Sequence, residues 1–206
     1  MQEIVNLLKS PYTSKNLKFI SNELVSIDGS EKFEIENNIY KFVSKNNIET
    51  KTKNVRDFYL DYCFPNYNDF DNLENFIIKM SNNTFIKDLN NIILPNNTVL
   101  EFGCGTGQLG NFLAATGHAK IVSADISINS LRLANEFKNK NNIRGIDFVE
   151  TNVFESCFKD QVFDVIISNG VLHHTIDPYL AFQNLLKLLK KDGIIIIGLY
   201  NKLSRL

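Results

Sequence analysis

From residue 98 to residue 110 the chain reads Thr-Val-Leu-Glu-Phe-Gly-Cys-Gly-Thr-Gly-Gln-Leu-Gly. A short apolar run ends in an acid, Glu101. Three glycines follow at alternate positions, Gly103, Gly105 and Gly107, and an amphipathic stretch then begins. The chemistry of such a pattern is ligand binding by backbone. Glycine accepts the positive φ of a tight turn, and without a Cβ the main chain can lie against a nucleotide-like molecule. About twenty residues after the turn stands Asp125, at the distance where a carboxylate accepts hydrogen bonds from a ribose diol. Further on, Glu150-Thr-Asn152-Val153 offers an acid or an amide to read an adenine edge, and an apolar side chain to pack on the ring. Ser168-Asn169-Gly170-Val171-Leu172-His173-His174 brings two imidazoles, groups able to take a proton from a hydroxyl or amine near neutral pH. Each feature also has a purely structural reading: a glycine turn without ligand, an Asp capping the next helix, a plain turn at 150–153, and histidines that only line a pocket or point into the fold.

The elements that would hold these residues alternate regularly. Strands are expected at 99–102, 121–124, 146–149, 163–168 and 194–197. Helices are expected at 108–116, closed by Gly117, from Ser127 onward with Leu131, Leu133, Ala134 and Phe137 inward, and from Asp177-Pro178 to Gly193. Such βα alternation argues an α/β, Rossmann-like, doubly wound and mainly parallel sheet, in which ligands bind outside the C-terminal strand ends. Every candidate named above falls at such an end, whereas His118 falls at the opposite end and is expected on the surface. Upstream, apolar recurrence over 72–91 reads as helix, stopped at Leu94-Pro95. Before it, an aromatic stretch around residues 58–67 is either a lid or linker packing. Residues 1–45 read as a helix at 4–9 followed by a small antiparallel β module with runs at 17–20, 23–26, 33–35 and 39–43, and turns at Asp28-Gly29 and Asn37-Asn38. The expected organisation is therefore a β module over 1–45, a linker with helices over 46–92, and a ligand-binding domain over 93–206.

Two cofactor classes fit a ribose-binding Asp. Gly105-Thr-Gly107-Gln-Leu-Gly110 has the spacing of a dinucleotide turn, which would make the chain an NAD-dependent oxidoreductase. That register starts two residues late and sets Glu101 beside a pyrophosphate, where an acid repels. A phosphate-free ligand with a cationic centre removes the conflict, and S-adenosylmethionine, with its sulfonium, adenine and ribose, is such a ligand.

Glu101-Phe-Gly-Cys-Gly-Thr-Gly107, Ala124-Asp-Ile-Ser127, Phe163-Asp-Val-Ile-Ile-Ser-Asn169 and Val171-Leu-His-His174 before Asp177-Pro178 closely resemble the class I S-adenosylmethionine-dependent methyltransferases, in particular the type 11 group, over about residues 95–200. The resemblance implies that Glu101, Gly103 and Gly105, with Cys104 and Gly107 of the same turn, hold the methionine part. It implies that Asp125, with Ile126, holds the ribose, that Asn152 and Val153 hold the adenine, and that Asn169 lies at the methyl-bearing side. The family usually has Asp where this chain has Asn152. His173 and His174 are the candidates for a catalytic base. Residues 7–43 resemble a zinc-ribbon-like module found fused before such domains, but Ser10 stands where that module often has Cys and no cysteine precedes Cys63, so no zinc site is expected there. The family continues past its fifth strand with further strands, so the domain is expected to be incomplete at its C-terminal end. Strand 194–197 is accordingly expected at an apolar edge that self-association would cover.

Composition is that of a soluble globular protein rather than a disordered or membrane one: 44% apolar and 22% charged residues, with a net charge of −1. A near-neutral chain lacks the electrostatic footprint of a general nucleic-acid binder. No apolar run is long enough to span a bilayer. Three scattered cysteines, Cys63, Cys104 and Cys157, have neither metal-ligand nor disulfide-framework spacing, and a reducing cytoplasm is the expected setting. The expected function is methyl transfer to a small-molecule acceptor. A cofactor-binding but inactive regulatory protein is the alternative, and the oxidoreductase the less favoured one.

Overall fold

The structure, a computed structural model, describes residues 2–43, 67, 72–117 and 119–200. Cys63, His118, the aromatic stretch 58–66 and residues 201–206 lie outside the described residues. A short helix α1 (Gln2–Val5) leads into β1 (Leu17–Ile20), β2 (Glu23–Ser26), β3 (Lys32–Glu36) and β4 (Ile39–Lys41), successive neighbours pairing antiparallel. The turns follow from residue type. Asn37 and Asn38 both take the left-handed conformation, at φ 49° and 66°, as do Ser21 and Asn22 at 48° and 67°, a second two-residue hairpin turn that the sequence reading passed over. Helix α1 stops well short of the expected residue 9. Leu8, fully buried, instead bridges Phe158, and the Lys9 N–H donates to the Cys157 carbonyl at 2.7 Å. The segment therefore meets its backbone hydrogen bonds across the molecule rather than along a helix.

Two helices follow, α2 (Leu73–Ser81) and α3 (Thr84–Ile92), separated where Asn83 caps the second by accepting from the Phe85 N–H. The alternating region then runs β5 (Thr98–Phe102), α4 (Gln108–Ala115), β6 (Lys120–Asp125), α5 (Ile128–Lys140), β7 (Ile146–Glu150), β8 (Phe163–Asn169), a single 3-10 turn (Leu172–His174), α6 (Pro178–Leu188) and β9 (Leu189–Gly198). Ser127 caps α5, and Asp177 caps α6 ahead of Pro178. One expectation is corrected. Helix α6 ends at Leu188, and Gly193 lies inside β9 rather than closing the helix. The register jumps from Phe163↔Leu189 to Val165↔Ile194, so residues 190–193 bulge out. A Cβ on Gly193 would stand 2.9 Å from the Asp164 carbonyl oxygen.

All nine strands join in one sheet in the order β1-β2-β3-β4-β7-β6-β5-β8-β9, and every pair from β4 onward is parallel. The antiparallel module is thus continuous with the parallel sheet through β4 and β7. Period-two alternation in β5 divides the core. Leu100 and Phe102 face a cluster with Ile4, Leu8, Leu24, Phe33 and the α6 residues Ala181 and Leu185. Val99 faces the opposite cluster with Phe76, Leu89, Phe112 and Leu131 from α2, α3, α4 and α5. Winding runs from β5 toward β7 on one side and restarts at β8 on the other. The switch point therefore lies between β5 and β8, and the glycine turn sits at its C-terminal edge.

Candidate functional site

Leaving β5, the chain enters the glycine turn, where Gly103, Gly105 and Gly107 take φ of 76°, 53° and 67°. At Gly103 the requirement is doubled, because a Cβ would lie 2.3 Å from Cγ2 of Val171. The turn is pinned by backbone bonds from Gly103 and Cys104 to the Ala124 carbonyl, and by the Gly105 N–H donating to Asp125 Oδ2 at 2.8 Å. Asp125 Oδ1 accepts from the Ser127 N–H at 2.8 Å. The Asp thus braces the turn against β6 while Ser127 caps α5. Burial raises the Asp125 pKa above the ordinary carboxylate value.

Glu101 points to the α4 side of the sheet. Its Oε2 accepts from Ser123 Oγ at 2.8 Å and from the Gly110 N–H at 3.0 Å. The carboxyl is buried, and burial pushes its pKa up to about 7, with the Ser123 and Gly110 bonds opposing and Asp125 adding to the rise. No cation contributes to that balance among the described residues. The first turn of α4 therefore carries the protein's own acid, which leaves a pyrophosphate no place there.

These groups border a cavity of about 490 Å³, the size of a small-molecule site. Of the residues picked out by sequence, Glu101, Gly103, Cys104, Gly105, Asp125, Ile126, Asn152, Val153, Asn169 and His174 line it. Gly107 does not. It caps α4 in the left-handed conformation, where a Cβ would meet Ala134 and Phe148. His173 does not line it either: both ring nitrogens are buried without a hydrogen-bond partner, and the ring packs at 4.0 Å from His174 and 4.6 Å from Tyr200. Of the two adjacent histidines, His174 lines the cavity. Burial holds the Cys104 thiol well above its usual pKa, so it forms wall rather than nucleophile. Asn152 Oδ1 accepts from the Phe154 N–H, which fixes the β7 loop.

Several lining residues were not picked out by sequence. Met80, Asn83, Phe85 and Ile86 from α2, α3 and the turn between them close the cavity opposite the glycine turn, where helical periodicity signals packing only. Gly110, which does not line the cavity but donates to Glu101, is a second omission, and it left a signal. Glycine inside a helix costs about 1 kcal/mol against Ala, and here a Cβ would stand 2.1 Å from Ser123 Oγ and 2.7 Å from Glu101 Oε2. Tyr200, two residues beyond β9, is the third. Its signal is Gly198, whose Cβ would collide with Asn169 Oδ1 at 1.8 Å. Tyr67 resolves the lid-or-packing question for its own position. Its hydroxyl donates to the Thr106 carbonyl at 2.8 Å and its ring stacks on Phe137 at 4.0 Å, so it packs behind the turn.

Comparison with known proteins agrees with this geometry. The family described as "Methyltransferase domain" matches residues 93–206. Among curated proteins, the mitochondrial ubiquinone biosynthesis O-methyltransferase of Dictyostelium discoideum is 28% identical over 134 residues, covering 61% of this chain and 42% of that protein. The ubiquinone biosynthesis O-methyltransferase of Glaesserella parasuis is 30% identical over 112 residues, covering 52% and 47%. The chain spans less than half the length of these curated relatives. Among solved structures, a putative S-adenosyl-L-methionine-dependent methyltransferase from Methanococcus maripaludis is similar with a TM-score of 0.55 at 21% identity, covering 76% of this chain and 67% of that one, a likeness of fold.

Proposed function

The chain belongs to the methyltransferase-domain family that matches its residues 93–206, and on that premise we propose that it transfers the methyl group of S-adenosylmethionine to an acceptor nucleophile. The observation that carries the reading is Glu101, a buried acid with a raised pKa, set under a glycine turn with no described cation beside it. Such a carboxyl suits a ligand that brings positive charge and repels one that brings phosphate. The residues present fit such a ligand, because the cavity lining brings the carboxyls of Glu101 and Asp125 and the Asn152 amide to the ends of β5, β6 and β7, and its described residues include no Lys or Arg.

When bound, S-adenosylmethionine supplies a methyl group already activated on a sulfonium. The chain's residues would do the rest. Glu101 and the turn N–H groups hold the amino-acid end, Asp125 accepts from the ribose hydroxyls, and Asn152 with Val153 borders the adenine. Asn169 and His174 stand on the other half of the cavity, where His174 takes the acceptor's proton. Cys104, Ile126 and Val153 keep water from the reacting centre. Most of the rate enhancement would come from orientation, with the base adding its share.

Calorimetry on the 206-residue chain tests the cofactor assignment: S-adenosylhomocysteine is expected to bind at micromolar concentration and NAD not at all. Binding of NAD alone would refute it. His174→Gln is expected to retain S-adenosylhomocysteine binding and, once an acceptor is in hand, to lose turnover about 100-fold, within the range of a general base. Unchanged turnover would remove His174 from that role.

A further inference from the structure

The cavity has two unlike halves. At the ends of β5, β6 and β7 it holds two carboxylates, Glu101 and Asp125. At the ends of β8 and β9, and at α2 and α3, its described lining carries no Lys, Arg, Asp or Glu; the ionisable groups there are His174 and Tyr200, and the neutral polar side chains Asn83, Asn169 and Thr175 stand with Met80, Phe85, Ile86 and Val171. Resting on the methyl-transfer reading, we propose that the acceptor is a small molecule with a flat apolar or aromatic body and an uncharged hydroxyl or amine at its reacting end, bearing no phosphate or carboxylate.

The argument is one of desolvation. An anion that enters such a half-cavity loses hydration and finds no described guanidinium or ammonium to replace it, while the two carboxylates of the other half repel it. A planar apolar body loses little and gains contact. Tyr200 is 58% exposed and its ring stands against the half-buried His173 ring at 4.6 Å, and so presents a supported face. Gly170 and Gly198 leave the space this arrangement needs, since a Cβ on Gly170 would lie 3.3 Å from Tyr200 Oη. Aromatic and apolar ligands use such faces. The transfer balances without a further reactant. The acceptor atom supplies the electron pair of the new bond to carbon, sulfur keeps the pair of the broken carbon–sulfur bond as a neutral thioether, and the acceptor's proton passes to His174.

The test uses matched pairs on the chain saturated with S-adenosylhomocysteine: catechol against 3,4-dihydroxybenzoate and tyramine against tyrosine, with phosphoethanolamine as the phosphate-bearing control. Binding is read by calorimetry on that complex, and turnover in separate reactions without S-adenosylhomocysteine by transfer of labelled methyl from S-adenosylmethionine. An uncharged or amine-bearing aromatic member is expected to be preferred at least tenfold over its carboxylated partner, with phosphoethanolamine inert. Equal or reversed preference, or failure of every uncharged and amine-bearing member to engage, overturns the proposal. Tyr200→Ala is expected to weaken the preferred aromatic probe fivefold or more and to leave S-adenosylhomocysteine affinity within twofold. Loss of neither or of both overturns the placement of the acceptor. The S-adenosylhomocysteine isotherm is taken first, so that its absence indicts the methyl-transfer reading and not the acceptor class.

Discussion

At the scale of single residues, Glu101 couples folding to protons, and in the proposed site it would couple ligand binding to them as well. Its pKa is about 7 in the folded chain against an ordinary 4.5, so folding favours the protonated form. The stabilising contribution is complete below pH 4.5 and is lost as pH rises through 7, a change of about 3 kcal/mol. Asp125 shifts in the same direction. Glu36, held at about 2 by Arg132 and Lys41, acts only at lower pH. Unliganded protein should therefore melt at a lower temperature at pH 8 than at pH 5.5. In the proposed site the ligand's α-ammonium, which S-adenosylhomocysteine shares with S-adenosylmethionine, needs the ionised carboxyl, so S-adenosylhomocysteine affinity should rise toward tenfold per pH unit between 5.5 and 7 and then level off. Glu101→Gln should bind weakly at every pH and show neither slope; a variant that kept the native profile would remove Glu101 from the site. Gly110→Ala makes a complementary prediction. Its Cβ would fall 2.7 Å from Glu101 Oε2 and 2.1 Å from Ser123 Oγ. The substitution gains helix propensity of about 1 kcal/mol but displaces the acid, so titration should show at least tenfold weaker cofactor binding in a chain with native circular dichroism.

At the scale of elements, the alternating half was legible because its signals are local. Each strand from β5 to β8 is a short apolar run, and each of the helices α4, α5 and α6 starts at a residue whose type makes it a cap: Gly107, Ser127 and Asp177. Legibility failed where a distant segment decided the outcome. Residues 6–9 have helical character, yet the buried Leu8 pairs with Phe158, about 150 residues away. Tyr200 and the α2–α3 pair reach the cavity only through the topology. The first turn after α1 shows how serine can organise a loop without metal. Ser10 is fully buried; its Oγ donates to Glu31 at 2.7 Å and accepts from the Tyr12 and Thr13 N–H groups at 3.1 Å each. Ser10→Ala would leave those two donors and the Glu31 carboxylate short of a partner, at a cost of about 2 kcal/mol. The midpoint in urea should fall accordingly, while S-adenosylhomocysteine affinity stays native. A midpoint unchanged within error would mean that the turn holds without the hydroxyl.

At the scale of the whole molecule, the question is whether the family-matched segment stands alone. The first 43 residues resemble a separable module in sequence, but they share a core with the parallel sheet. Ile4, Leu8, Leu17, Leu24 and Phe33 are buried in one cluster with Leu100, Val149, Phe158 and Phe163. β4 extends β7 by parallel pairing, and backbone bonds from Lys9 to Cys157 and from Lys159 to Leu7 close the seam. Arg132 pairs with Glu36 at 2.6 Å, and the Asn135 amide donates to the Asn37 carbonyl at 2.7 Å. Five buried apolar side chains at about 1.5–3 kcal/mol each come to roughly 7–15 kcal/mol. A whole domain is stable by only about 5–15 kcal/mol. Those magnitudes decide the case: removing residues 1–43 uncovers Phe158 and Phe163 and takes away as much as the domain has to lose. A chain of residues 44–206 should show no cooperative unfolding transition, should bind a hydrophobic dye, and should not bind S-adenosylhomocysteine. Supplying residues 1–43 as a separate peptide should restore part of the binding. If the shorter chain melts cooperatively and binds with native affinity, the parallel sheet carries its own stability and β1–β4 are an accessory.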